Sequence, residues 1–314
     1  MRHLRLAPMI LLILALTQVR SAYVLDLMAV VAVQSLPAIG LALLLGYTGQ
    51  ISIGHAAFYG LGAYGSALLS LRLGVTPLLA ACLAIAATGT FAYALGRPIL
   101  RLQGHYLAMG TLAFGSIVSI VLTEWRSLTG GSAGLRGVPP LTLLGWSLSD
   151  TAIFAPVAWT VLLVALVLVL NLVESPAGML MRGMGDSERA VSALGANVVR
   201  LRSQVFALSA MLAATGGALY VHWIGFVSPQ PFSIGFSVRL LVMVAIGGFR
   251  NLGGVIFGVA FVSIVAEPLQ DFGYYDVLTL GGLLVVIVVL FPDGLLTGAM
   301  RLVRRFLPAR KRIA

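Results

Sequence analysis

Apolar residues dominate this chain in long runs, at 6 to 19, 23 to 45, 55 to 71, 75 to 96, 104 to 122, 151 to 173, 204 to 223, 237 to 250, 252 to 270 and 276 to 292, with short polar interruptions between them. A membrane-crossing helix needs roughly 20 mainly apolar residues. The pattern therefore predicts an all-α, polytopic membrane protein with about ten spans, several of them short, broken by glycine or re-entrant. No linker or low-complexity segment divides the chain, so residues 1–314 are expected to form a single membrane domain. Two polar stretches are longer than the rest. The first, about 123 to 150, contains TGGSAGLRGVPP, whose glycines and prolines dictate turns. The second, about 174 to 203, carries Glu174, Arg182, Asp186, Glu188, Arg189, Arg200 and Arg202 between two apolar runs. It must lie outside the bilayer, and it is too short to be a domain. Helix-forming stretches and the glycines Gly183, Gly185 and Gly195 make it a compact surface structure that docks something. Asp186 and Glu188 are placed near a helix start, where acidic residues favour the helix dipole, with Gly195 ending that helix.

Composition narrows the class. The 314 residues are 60% hydrophobic and 10% charged, with a mean hydropathy of +1.03, which excludes an ordinary soluble domain. The net charge of +10 does not imply nucleic-acid binding, because Lys and Arg gather in the cytoplasmic loops of membrane proteins. With both termini inside, 15 of the 20 basic residues fall on the cytoplasmic face, together with the 174 to 203 loop. The basic tail, about 298 to 314, is then a positive-inside stop signal able to touch anionic headgroups of membrane lipid. MRHLR followed by an apolar run imitates a secretory signal, but RSAY offers no small-residue cleavage site, which predicts a retained first span. The single cysteine, Cys82, excludes an internal disulfide and is expected to be a buried, inert thiol.

The residue inventory points away from catalysis. The one lysine, Lys311, lies in the tail, so the chain has no phosphate-loop lysine and cannot hydrolyse ATP by that route. His3, His55, His105 and His222 are far apart and show no metal-ligand spacing, so no metal site and no catalytic residue is assigned. Ser52 and His55 in SIGH lack an acidic partner, which leaves an intramembrane hydrolase a weak reading. Ion-coupled carriers place ionisable groups deep in the membrane. Here Asp26, Glu267 and Arg239 fall near span ends, and Asp271 and Asp276 in an external turn. Pairs such as Ala213 with Gly217 and Gly254 with Gly258 are spaced for close helix packing. Two regions rich in glycine, proline and polar residues, 46 to 65 and 228 to 237, are candidates for broken helices lining a path. In the first, Gly49, Gln50, Ser52, Gly54 and His55 form the candidate translocation path, polar glue between helices being the alternative.

These segments, in order, resemble the LivM-type permeases of bacterial branched-chain amino acid ABC transporters (the LivH/LivM family). The match is carried by GYTGQISIGHAAFYGLGAYGSALL at 46 to 69, GHYLAMGTLAFGSIV at 104 to 118, TGGSAGLRGVP at 129 to 139, the polar block, FVSPQPFSIGFSVRLLVMVAIGGFRNLGGVIFG at 226 to 258 and LFPDGLL at 290 to 296. The resemblance implies an importer permease of the bacterial inner membrane. The block resembles the family's coupling loop, in which Glu188, Ala190, Ala193 and Gly195 match an EAA-like pattern; with Asp186 and Arg189 they are the expected ATPase-coupling residues. Gly183 and Gly185 loosen the helix entry, a departure from the commoner form. The implied partners are ABC ATPase subunits that bind the ATP, a LivH-like second permease and a periplasmic substrate-binding protein. This chain itself is expected to hold no cofactor. The implied solute is a branched-chain or other hydrophobic amino acid, or a related small solute such as urea or an amide, moved by ATP-driven alternating access. The alternative from another class is a stand-alone secondary carrier or channel.

Overall fold

The computed structural model describes residues 21–269 except 103, 144 and 145, together with positions 12, 13, 15, 18, 281 and 282. Apart from those six positions, the expected spans at 6 to 19 and 276 to 292 lie outside the described residues, as do the side chain of Glu267, the residues Asp271 and Asp276, the 290 to 296 motif and the basic tail.

The other eight apolar runs are helical. Helix α1 (Ala22–Ala42) passes Pro37 and continues into a wider π turn, Leu43–Tyr47, before the helix breaks at Thr48. Helix α2 is His55–Leu73, α3 Pro77–Ile99 and α4 His105–Glu124. After a one-turn helix α5, Arg126–Thr129, the chain makes short strands β1 (Leu135–Arg136), β2 (Thr142–Leu143) and β3 (Trp146–Ser147). Helix α6, Thr151–Glu174, starts on an Asp150 cap that accepts from the Ala152 amide at 2.9 Å. Its 24 residues run about 36 Å at 1.5 Å per residue, so the 125 to 150 segment and the polar block lie at opposite ends of the molecule.

The polar block folds into two helices, α7 (Pro176–Asp186) and α8 (Glu188–Ala193). Helix α9, Val198–Ile224, returns to the far end, where β4 (Phe226–Val227) pairs antiparallel with β1, Leu135 opposite Val227. The short helix α10, Ile234–Gly247, turns at 248–251 into α11, Leu252–Leu269. At 14 residues, α10 covers about 21 Å, less than the roughly 30 Å hydrocarbon core. Short or broken spans were expected, and this is one.

Burial sorts the helices into an inner and an outer set. The apolar windows of α1 and α9 are 78% and 72% buried, against 33% for α3 and α4. Helix α9 packs along α2, α3 and α1, while α1 also receives α6 and α11. Small residues permit these approaches: a side chain at Gly217 would overlap the Tyr59 carbonyl, and one at Gly258 the Met243 carbonyl. That bears out the packing role expected of the Ala213/Gly217 and Gly254/Gly258 pairs. Outer helices present leucines instead. Cys82 belongs to that outer surface and is exposed beside Leu78, Leu79 and Leu83, which corrects the expectation of a buried thiol. In a membrane an apolar run is no guide to which face points inward, because lipid accepts the same side chains as the core.

Candidate functional site

The break between α1 and α2 is built by backbone contact on both sides. A side chain at Gly46 would overlap the Phe249 carbonyl in the α10–α11 turn, and one at Gly54 would overlap the Thr111 carbonyl of α4. Gly49 adopts φ +66°, a left-handed conformation that glycine takes without steric cost. The groups freed by the break find partners within the turn and from other helices. Thr48 Oγ1 donates back to the Leu44 carbonyl at 2.7 Å, Ile53 N donates to Thr111 Oγ1 at 3.1 Å, and Ala56 N, in the first turn of α2, donates to Ser237 Oγ at 3.0 Å. The two broken regions expected at 46 to 65 and 228 to 237 are thereby bonded to each other.

Side chains in the break are buried and incompletely satisfied. Gln50 and Ser52 are each 2% exposed and His55 is 0% exposed. Both polar atoms of the Gln50 amide, the Ser52 hydroxyl and His55 Nδ1 have no hydrogen-bond partner among the described residues. Ser209 of α9 donates its proton to the Gly40 carbonyl at 2.7 Å. Its oxygen, 3.3 Å from His55 Nε2, can then only accept, so Nε2 carries the imidazole proton and Nδ1 is left as a bare acceptor. Beneath the imidazole lies an aromatic floor, with Phe58 against Phe114 and Phe206 at ring separations of 5.1 and 5.3 Å. An unpaired buried polar group costs about 1–3 kcal/mol, which marks this stretch as a candidate contact for water or a polar solute. No described group of three or more His, Cys, Asp or Glu residues could hold a metal.

The second element of the site is the α7–α8 surface module. Ser175 caps α7 with Pro176 at its first position, and Ser187, at φ −158°, ends α7 and caps α8. Glu188 opens α8, as expected, and Gly195 follows it in the left-handed region. Asp186 lies just before the Ser187 cap of α8, near that helix start as expected, but it belongs to the preceding helix. It is the last residue of α7, where the dipole disfavours a carboxylate, and Arg250 compensates by pairing with it at 3.4 Å. Gly183 and Gly185 precede α8 but lie inside the helical turns of α7 and not in a loosened loop. Val191 is buried against Gly183, while Arg189, Ala190, Ala193 and Gly195 face outward beside Leu194, which is 78% exposed.

Two arginines that the sequence did not mark as anchors join this module to the bundle. Arg202 of α9 pairs with Glu188 and directs Nη1 toward the Leu100 carbonyl at 3.5 Å, tying α8 to the ends of α3 and α9. Arg250, besides its contact with Asp186, donates Nε to the Gly46 carbonyl at 2.9 Å, and its own carbonyl accepts from the Tyr47 hydroxyl at 2.9 Å. A Cβ at Gly185 would stand 3.5 Å from the Tyr47 carbonyl oxygen and 3.7 Å from the Gly49 amide nitrogen. The end of α7 therefore rests on the helix break itself. The only sequence signal for this arrangement was a lone arginine between two apolar runs.

Comparison with known proteins bears on this arrangement. A family model described as branched-chain amino acid transport system / permease component matches residues 23–291. The high-affinity branched-chain amino acid transport system permease proteins LivM of Salmonella typhimurium and Escherichia coli are each 34% identical over 284 residues, 82% of this chain and 66% of their own lengths. The chain thus matches a little under two thirds of the length of these relatives. An autoinducer 2 import system permease protein, LsrC of Yersinia enterocolitica, is 26% identical over 157 residues, 49% of this chain and 41% of its own. No solved structure matches.

Proposed function

This chain belongs to the branched-chain amino acid transport permease family, and from that membership we propose that it is the membrane-spanning permease subunit of an ABC importer. On this reading α7 and α8 face the cytoplasm and seat in an ATPase subunit. Arg189, Ala190, Ala193 and Leu194 form the contact, and Glu188 and Asp186 anchor it to the bundle. Gln50, Ser52 and His55 stand beside the solute path. The solute is a branched-chain or other hydrophobic amino acid, or a related small solute such as urea or an amide. A second permease and a periplasmic binding protein complete the assembly in the bacterial inner membrane, with both termini of this chain inside. ATP is bound and hydrolysed by the partner ATPases, and this chain contributes no catalytic group.

The observation that carries the proposal is the continuous contact from the exposed α8 face through Asp186, Arg250 and Gly46 to the helix break. A load applied at α8 reaches the buried polar stretch through hydrogen bonds and backbone contacts, without crossing a flexible linker. Two-state rocking of such packed elements is what alternating access requires.

Affinity purification of the full chain, co-expressed with candidate ATPase and second-permease subunits, tests the reading. The expected result is co-purification of all three, with Leu194→Glu releasing the ATPase alone. Recovery of the chain free of any ATPase in membranes that nevertheless transport its solute would contradict it.

A further inference from the structure

We propose that a cavity between the end of α3 and the start of α9 binds a phosphate group, supplied by the headgroup of an anionic lipid. The cavity measures about 480 Å³ and is lined by Tyr93, Arg97, Arg101, Asn197, Arg200 and Ser203. Three arginines therefore line one recess. Arg202 pairs with Glu188 and Arg250 with Asp186, whereas Arg97, Arg101 and Arg200 are joined to no carboxylate among the described residues. Arg97 lies over the Tyr93 ring at 5.1 Å, a cation–π contact that orients the guanidinium without neutralising it. Arg200 stands in the first turn of α9, whose amino-terminal end adds further positive potential. Three like charges lining one cavity attract an anion, and arginine's planar fork matches phosphate oxygens in pairs.

The surroundings favour a phosphate that carries acyl chains. Val199, which also lines the cavity, is 45% exposed, and Leu102, next to Arg101 in the chain, is 41% exposed. Such an apolar rim suits lipid tails, and basic pockets between membrane helices on the cytoplasmic side take anionic headgroups. A free phosphate would use the same arginines and ignore the rim. The leaflet assignment rests on the orientation proposed above; the phosphate chemistry does not, and lipid retention can be read without any transport assay.

The test uses the full chain in nanodiscs of phosphatidylcholine and phosphatidylglycerol, released into detergent and weighed by native mass spectrometry. The wild type should retain phosphatidylglycerol in preference to phosphatidylcholine. Arg97→Gln/Arg101→Gln/Arg200→Gln should weaken that retention at least about tenfold, while Arg126→Gln/Arg136→Gln at the opposite end should leave it unchanged. In a parallel titration, inorganic phosphate that binds the wild type but not the triple variant, without phosphatidylglycerol retention, would uphold the phosphate site and assign it a soluble source. Equal phosphatidylglycerol retention by the triple variant and the wild type, with no difference in phosphate binding, would overturn the proposal. So would a triple variant that keeps its lipid and loses only its ATPase partner, which would make the arginines a protein contact.

Discussion

Arg250 and Gly46 are 204 residues apart in sequence, yet the Arg250 side chain donates to the Gly46 carbonyl at 2.9 Å. The bond closes a ring in which Tyr47 returns a hydrogen bond to the Arg250 carbonyl and Asp186 approaches the same guanidinium. One side chain thus touches the α10–α11 turn, the broken end of α1 and the last residue of the surface module. Charged hydrogen bonds are worth about 1.5–3 kcal/mol. Arg250→Gln should therefore lower ATP-driven uptake by about tenfold or more while the assembled complex still hydrolyses ATP. Parallel assays of uptake and hydrolysis check this; equal loss of both would assign Arg250 to assembly instead of coupling.

Glu188 and Arg189 are neighbours with different duties, and their variants should separate. Arg189 is exposed, so Arg189→Glu should reduce ATPase association without lowering the thermal stability of the isolated chain. Glu188→Gln removes the partner of Arg202, whose side chain is only 11% exposed. Glu188 is itself one third exposed, so solvent screening reduces the cost from the buried-pair range to about 1–2 kcal/mol. A lower melting temperature for Glu188→Gln than for Arg189→Glu is the expected order, and the reverse order would contradict these roles.

Ser52 should change accessibility during transport. With Cys82 replaced, which is necessary because that thiol is exposed, a cysteine substituted for Ser52 should react with a small water-soluble thiol reagent in one nucleotide state of the complex and not in the other. Inertness in every state, with transport retained, would make Gln50, Ser52 and His55 polar glue between helices.

Close backbone contact at the break predicts intolerance of a single methyl group. Gly54→Ala would drive a Cβ into the Thr111 carbonyl, and overpacking of this kind costs about 1–3 kcal/mol. Gly74→Ala, at the open end of α2 where nothing lies within 4 Å, meets no neighbour and bears only the strain of φ +62°. Thermal unfolding in detergent should rank Gly54→Ala as the more damaging of the two.

What the sequence made legible is the part governed by local rules. Hydropathy located α1 to α4, α6 and α9 to α11, and the glycines and polar residues of 46 to 55 marked the broken helix. Glu188 and Gly195 were placed correctly at the start and end of α8, whereas the separate helix α7, which ends at Asp186, was not distinguished. Arg202 and Arg250 were not legible as anchors, because their partners Glu188, Leu100, Gly46 and Asp186 are set by tertiary packing. Cys82 was misplaced because hydropathy does not distinguish a lipid-facing side of a helix from a core-facing one.

Reconstitution into liposomes tests the central claim most directly. The chain alone should fail to accumulate solute under any ion gradient, whereas the chain with its ATPases, second permease and binding protein should accumulate it only when ATP is supplied. Concentrative uptake by this chain alone, driven by a proton or sodium gradient, would contradict the account and establish a secondary carrier.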